Sequence, residues 1–425
     1  MKYAAKCLLA RERVVVTGMG PVTSIGSSND KLAESLRRGV SGTDKLTRFD
    51  TSRYDVHHAG EIKDFNLLDF CPDMKTKDIR RLAIVSQYAL AAAEMAIKDS
   101  GLVVGVNADS HDVAVRLGAG VGGLNEIELQ HTILKEAESD GTQKEVARGI
   151  TPFLVPMIIP DAAASNISLR HKIKGEAVSV NSACSSSLTA ICDAYDKIKL
   201  GNYSVVITGG AEAPITPITL GAFSQANALS KIGKSRPYDK ERDGFVISEG
   251  AGILILENLE HALNRNAKIY GEILGYGASS DAHNIVAPDP DGDELLYAIE
   301  KAMDKSGIYR FDYINTHGTS TKYNDKIEAA VINYLFGGLI PVSSTKSMTG
   351  HSLGASAAIE SITTLLSMKN RIIYPTINYE NMDPECKIDC VPNAARHKEL
   401  NTALKFSSGF GGHNAAIIFG KYPGK

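Results

Sequence analysis

The sequence predicts an α/β protein built from parallel sheets covered by helices. Short β-branched runs recur along its 425 residues, stretches of helical period separate them, and glycines cluster where the runs end. Buried strands that alternate with amphipathic helices are the pattern of sheets covered on both faces.

Val14 to Thr17, followed by Gly18-Met19-Gly20, reads as a buried strand ending in a tight loop. Val113 to Leu117 repeats the pattern ahead of Gly118, Gly120, Gly122 and Gly123. Ala177 to Val180 ends at Asn181, and Ser204 to Thr208 ends at Gly209-Gly210. Helical period fills Ile79 to Ile97 and Ser187 to Lys199. The rhythm then returns: Ala251 to Leu256 is strand-like, Leu259 starts a short helix, and Lys268 to Ala278 forms another strand. Glu294 to Ser306 reads as a helix, Tyr313 to Asn315 and Pro341 to Ser343 as short strands, and a helix follows from Ser356. Ala403 to Phe406 ends in a glycine-rich turn, and Ala415 to Phe419 is a closing apolar strand. This recurrence predicts two similar halves packed together, although no direct self-similarity is visible. The chain is also too long, at 43% hydrophobic residues, for one simple core.

Lys plus Arg number 46 and Asp plus Glu 49, a formal charge of −3 that gives no support for nonspecific nucleic-acid binding. The six cysteines (Cys7, Cys71, Cys184, Cys192, Cys386 and Cys390) form no paired CxxC clusters, so no structural zinc site is expected. Cys386 and Cys390 read as thiols near the surface of a reducing compartment, and a cytoplasmic location fits. The N-terminal apolar stretch is too short and interrupted for a signal peptide, and no segment reads as a membrane span. The Gly118–Gly123 loop lacks the Lys-Ser/Thr end of a phosphate cradle. It and Gly209-Gly210 read as close backbone approaches between layers.

Candidate chemistry sits at three places. Cys184 lies in VSVNSACSSSLTA, where a strand stops at Asn181 and a helical face resumes at Leu188. Free N–H groups at such a helix start lower a thiol pKa and stabilise an oxyanion. On this segment alone a nucleophile and a small buried core thiol are both open readings. Cys192, in the helix interior, reads as structural. His317 in NTHGTST and His351 in STKSMTGHSLG each follow a strand-like segment, with glycine and hydroxyls as neighbours. Loops at strand ends are where catalytic groups gather in open sheets. Two neutral imidazoles aimed at one thioester oxygen would stabilise an enolate. Neither has a ligand at metal spacing, and Asp325 and Glu328 read as packing-network residues of a helix start. Lys346 among hydroxyls has Glu360 as a plausible ion partner. Phe410, flanked by Gly409, Gly411 and Gly412, could cover or uncover a pocket.

With these residues in place, the chain resembles the beta-ketoacyl-acyl carrier protein synthases, the elongating ketosynthases of fatty-acid and polyketide assembly. The resemblance runs from Arg13 to Phe419. It rests on ACSSS at Cys184, RPYD at Arg236, RDGF at Arg242, HGTST with Asn324-Asp325 and Glu328, STKSMTGH and GFGGHN. It implies a thiolase-like α-β-α-β-α layered fold of two similar halves, 13–266 and 267–425, each with a mixed five-stranded sheet. It also implies Cys184 as nucleophile, His317 and His351 as decarboxylation residues, and Lys346 with Glu360 as their ion pair. The oxyanion hole would use the N–H groups of Cys184 and Phe410, with Phe410 as gate. Val121, Phe245, Val286, Thr319 and Thr321 would line the acyl and pantetheine pocket. Lys75, Lys77, Arg80 and Arg81 would dock the acidic carrier protein. No metal or other cofactor is implied, since phosphopantetheine arrives on the acyl carrier protein. The implied assembly is a homodimer or a heterodimer with a related ketosynthase-like subunit.

Several positions depart from the family pattern. Ser185-Ser186-Ser187 looks like polyketide ketosynthases, Val286 replaces a frequent threonine, and Asn227 a frequent arginine. Lys405-Phe406-Ser407-Ser408-Gly409 stands where Cys-Asn-Ser-Phe-Gly is usual, and His413 where threonine is usual. These departures favour a specialised polyketide or polyene role. The competing reading is a non-condensing, chain-length-determining partner subunit, which the presence of Cys184 disfavours. A thiolase-type or initiating condensing enzyme is disfavoured by the two-histidine arrangement.

Overall fold

The computed structural model describes residues 12–139 and 149–424; Cys7 and most of the N-terminal segment lie outside the described residues. Ten strands form one hydrogen-bonded ladder whose halves repeat a single order. From the centre outward, the first half runs Val14–Val22, Gly250–Asn258, Val205–Glu212, Val113–Gly118 and Ala177–Val180. The second runs Gly271–Ser280, His413–Gly420, Thr402–Gly409, Tyr313–Asn315 and Val342–Ser343. In each half the two inner pairings are antiparallel and the two outer ones parallel. The parallel sheets suggested by the strand–helix rhythm are corrected to mixed ones, because an antiparallel strand enters next to the centre of each half, and the mixed five-stranded sheets implied by the resemblance are observed. The two five-stranded units are also continuous: Val14, Val15 and Val16 pair with Ile273, Glu272 and Gly271.

Side-chain alternation along the strands creates the layers. On Gly250–Asn258, Leu254 and Leu256 face a central core, while Ala251, Ile253 and Ile255 face an outer core containing Tyr88 and Ala92. On His413–Gly420, Ala415, Ile417 and Phe419 face the centre, while Ala416 and Ile418 join Ile299 and Ala302 in a second outer core. Helices Ser186–Lys199 and Ser356–Asn370 fill the central layer with Leu188, Ile191, Ile362 and Leu365. The Ala358 N–H donates to Ser187 Oγ across them at 2.9 Å. Helices Ile84–Ser100 and Asp293–Ser306 cover the outer faces. The result is the five-layer, thiolase-like α/β arrangement. Burial on both faces explains why the strands read as apolar runs rather than as alternating ones.

Two strands continue through the glycines at which the sequence predicts their ends. Val14–Val22 runs straight through Gly18-Met19-Gly20 instead of turning there. A Cβ on Gly18 would sit 2.2 Å from Ala96 O, and one on Gly20 would sit 2.0 Å from Ala92 O, so these glycines admit the covering helix. Val205–Glu212 likewise continues through Gly209-Gly210. The helix expected over Ile79 to Ile97 is two helices, Thr76–Ile79 and Ile84–Ser100, broken where Ala83 adopts ψ 150°. Cys386 and Cys390 are buried rather than near the surface, packed with Leu404 and Phe406. Among the described residues no helix is long and apolar enough to cross a membrane.

Candidate active site

The repeat places two matching turns at the centre of the molecule. Strand Ala177–Val180 leads into the 3₁₀ turn Ala183–Ser185 and then into helix Ser186–Lys199. In the other half, the 3₁₀ turn Leu353–Ala355 leads into helix Ser356–Asn370. Ala183 and Leu353 both take left-handed φ, 51° and 42°, a sparsely populated conformation that functional sites favour. Cys184 follows the first bend, and His351 precedes the second by two residues. His317 follows strand Tyr313–Asn315.

Cys184 is partly exposed and packs against an apolar cluster that includes Phe245, Leu353, Leu220 and Phe223. The structure corrects the expected low thiol pKa. Burial pushes the Cys184 thiol up to about 11, outweighing the pull of Lys346 and of the N–H groups of Phe410 and Cys184 itself. The helix start is present, yet desolvation dominates.

His317 and His351 are both buried, and their ring centroids are 5.4 Å apart. Each imidazole is engaged at Nδ1. Lys346 Nζ lies 3.3 Å and Ser407 Oγ 3.1 Å from Nδ1 of His317, and Ser356 Oγ lies 2.9 Å from Nδ1 of His351. An ammonium only donates, so Nδ1 of His317 accepts and its proton sits on Nε2. Burial first, and then the positive charge of Lys346, hold both histidines well below the usual imidazole range; the His351 ring and Lys405 also act on His317, and Lys405 on His351. Both rings are therefore neutral at physiological pH.

Ser407 lies between the centres, its single hydroxyl 3.1 Å from Nδ1 of His317 and 3.5 Å from the Cys184 carbonyl, so its one proton serves one or the other. Lys346 Nζ donates to the His317 carbonyl at 2.7 Å and pairs with Glu360, as expected. The His317 loop is held from behind: Glu328 accepts from the Gly318 N–H at 3.0 Å and from the Tyr238 hydroxyl at 2.8 Å. Asp325 accepts from the Tyr238 N–H at 2.9 Å. Burial pushes the Glu328 carboxyl up to about 7. Among the described residues no group of three or more His, Cys, Asp or Glu is placed to hold a metal ion.

The remaining expected site residues divide. Phe245 is buried with its ring 5.0 Å from that of His351, and the hydroxyls of Thr319 and Thr321 are 2.9 Å apart. Phe410 is 37% exposed and approaches the Phe223 ring at 6.2 Å. Gly411 N–H donates to Ile285 O at 2.8 Å, tying the Phe410 loop to the segment that carries Val286. Val121 and Val286, however, are 42% and 49% exposed. The Val121 backbone is bound instead, its N–H donating to buried Glu212 at 3.1 Å. Lys75, Lys77, Arg80 and Arg81 lie exposed around helix Thr76–Ile79. Sequence reasoning assigned no role to Ser407, Ser356, Phe223 or Lys405. The lysine carried a usable signal, because a charge inside the apolar strand ALKF demands a buried partner.

Comparison with known proteins agrees with this geometry. Residues 11–262 match the family model "Beta-ketoacyl synthase, N-terminal domain", and residues 270–380 match "Beta-ketoacyl synthase, C-terminal domain". The chain is 42% identical over 420 residues to 3-oxoacyl-[acyl-carrier-protein] synthase 2 of Staphylococcus aureus (strain COL), covering 97% of this chain and 99% of that protein. Among solved structures, the ishigamide ketosynthase/chain length factor superposes with a TM-score of 0.90 at 34% identity, over 97% of this chain and 100% of that one. A type II polyketide-synthase ketosynthase, in complex with its acyl-carrier protein and bound to the hexaketide, gives a TM-score of 0.86 at 30% identity, over 97% and 100%. The chain belongs to the beta-ketoacyl synthase family and is one of its condensing acyltransferases.

Proposed function

We propose that the chain condenses an acyl group held on Cys184 with a malonyl-type unit on acyl carrier protein, releasing carbon dioxide. The observation that carries this reading is the pair of neutral imidazoles, both engaged at Nδ1, with Ser407 between His317 and the Cys184 turn. A ring that accepts at Nδ1 presents its Nε2–H to a thioester oxygen, as His317 does beside the Lys346 ammonium and as His351 does when Ser356 donates to it.

The cycle has three steps. Cys184 attacks an acyl thioester, an acyl–sulfur bond forms on the cysteine, and the carrier thiol leaves with the cysteine's proton. The N–H groups of Cys184 and Phe410 stabilise the oxyanion. A malonyl thioester then loses carbon dioxide, and the electron pair of the broken bond becomes an enolate held by His317 and His351. The enolate carbon attacks the acyl carbonyl, a carbon–carbon bond forms, and the Cys184 thiolate leaves and is reprotonated. The product is a 3-ketoacyl thioester two carbons longer. Lys346 and Glu360 orient His317, Phe410 gates entry, and Phe245, Thr319 and Thr321 border the incoming unit. Residues 13–266 form the half with the nucleophile, and 267–425 the half with the histidines and gate. No metal or cofactor enters, since phosphopantetheine comes with the carrier.

The exposed cations Lys75, Lys77, Arg80 and Arg81 suit an acidic carrier protein. Ala177–Val180 is a terminal strand with one unpaired edge, and Val178 on it is 38% exposed. That edge supports pairing with a second copy or with a related ketosynthase-like subunit. Exposed Val121 and Val286 would be completed as pocket residues by that subunit and by the gate loop. Ser185-Ser186-Ser187, Val286 and buried Lys405 support a specialised polyketide or polyene product over a housekeeping fatty-acid role. The test supplies acyl- and malonyl-loaded carrier proteins and follows carbon dioxide and 3-ketoacyl product by mass spectrometry. Product should appear only with intact Cys184; purified protein that never forms acyl-Cys184 would refute the reading.

A further inference from the structure

Strand Thr402–Gly409 carries a lysine at its middle. Leu404 and Phe406 point into an outer core, so alternation sends Lys405 to the opposite face, the face of Ala403 and Ser407. Lys405 is 0% exposed. Its Nζ lies 2.7 Å from Glu360 Oε2 and donates to the carbonyls of Thr316 and Phe406. Lys346 holds the other oxygen of the same carboxylate. A lone lysine–glutamate pair has no net charge. Two ammoniums on one carboxylate leave a positive charge in a buried space, with Lys346 Nζ 3.3 Å from Nδ1 of His317.

We infer that Lys405 is a positioning residue of the decarboxylation site: it shares Glu360 with Lys346, and the extra cation keeps His317 and His351 in their neutral, hydrogen-bond-donating form. This inference rests on the condensing function proposed above. The charges of Lys346 and Lys405 act on both rings, and the His351 ring acts on His317. Behind Lys405 stand Glu360 and Glu328, while Glu212 acts on the Cys184 side. Glu328 is itself pushed up to about 7 by burial, which weakens the one further negative charge near Lys405. The field at the rings is positive, and a positive field opposes imidazolium. Burial brings the Lys405 ammonium down to about 8, so it remains charged through the acid range where the rings would otherwise take up protons.

The test compares the wild-type chain with Lys405→Met, Lys405→Gln and Lys405→Arg. Malonyl-carrier decarboxylation is followed from pH 5 to 8, and the imidazole signals of ¹³C-histidine-labelled protein are titrated over the same range. Loss of the cation should move the acid limb, and the titration of both rings, upward by about one pH unit. Lys405→Arg should keep the wild-type limb. A folded Lys405→Met chain with the wild-type limb and titration would overturn the proposal. So would an arginine variant that shifts as far as the methionine one. If neither neutral variant folds, Lys405 is a structural residue and the proposal falls. A wild-type chain inert toward loaded carriers, whose imidazoles still follow the charge at 405, would sink the condensing reading and leave the electrostatic one standing.

Discussion

His317 and His351 meet edge to face, their ring planes at 85° and their centroids 5.4 Å apart. One ring follows the strand Tyr313–Asn315 and the other precedes the helix Ser356–Asn370. In the proposed reaction both rings act on one carbonyl oxygen. Replacing either histidine with alanine should lower malonyl decarboxylation by roughly 10²-fold, the cost of one oxyanion donor. Acyl transfer to Cys184 should continue. Equal loss of both steps, measured separately by mass spectrometry and carbon dioxide release, would remove the assignment.

The same burial makes the fold sensitive to acid. Both rings have folded pKa values well below their unfolded value near 6.5. The unfolded chain therefore binds more protons below that pH, and stability is lost as pH falls from about 6.5 toward the folded pKa values. Each ring should cost about 1.4 kcal/mol per pH unit in that window. Urea unfolding at pH 7.5 and 5.5 measures the loss, and His351→Asn should shrink it. An equal difference in both proteins would count against the buried neutral state.

Cys184 should behave as a protonated thiol at rest. With its pKa near 11, the thiolate fraction rises about tenfold per pH unit below that value. Iodoacetamide labelling of Cys184, followed by peptide mass spectrometry, should accelerate steadily from pH 7 to 9. A plateau within that range would mean that the helix start wins over desolvation.

Glu360 compensates two buried ammoniums. Glu360→Ala leaves Lys346 and Lys405 facing one another without a counter-charge and should destabilise the protein by about 3–5 kcal/mol, read by chemical denaturation. A shift below 1 kcal/mol would show that the cluster is neutral or solvated.

Reversing exposed charge at the proposed docking surface should act on encounter alone. Arg80→Glu together with Arg81→Glu should raise KM for the carrier protein about tenfold, leave kcat in place, and lose most of its effect at high salt. A fall in kcat with KM unchanged would place these arginines elsewhere in the cycle.

Much of this was readable in the sequence for local reasons. Ala177–Val180 and Tyr313–Asn315 lie where their apolar runs predict, and the helices after Cys184 and from Ser356 start within one residue of expectation. Strand ends at glycine were misplaced at Gly18 and Gly209. Glycine marks a turn and a close approach with the same letter, and only the packed neighbour, the Ala96 carbonyl of a helix at Gly18 and the Gly252 carbonyl of the adjacent strand at Gly209, distinguishes them. Val121 and Val286 matched pocket positions of the family, yet exposure depends on what another part of the fold, or another chain, lays over them.

The sequence by itself determined which segments become strands and central helices, and which cysteine and histidines stand at their ends, because periodicity and turn chemistry act over a few residues. Tertiary structure alone decided the joining of the two sheets into one ladder, the raised thiol of Cys184 and the second lysine on Glu360. Those depend on desolvation and charge contributed by residues far apart in the chain, and such effects exist only once the layers have closed around them.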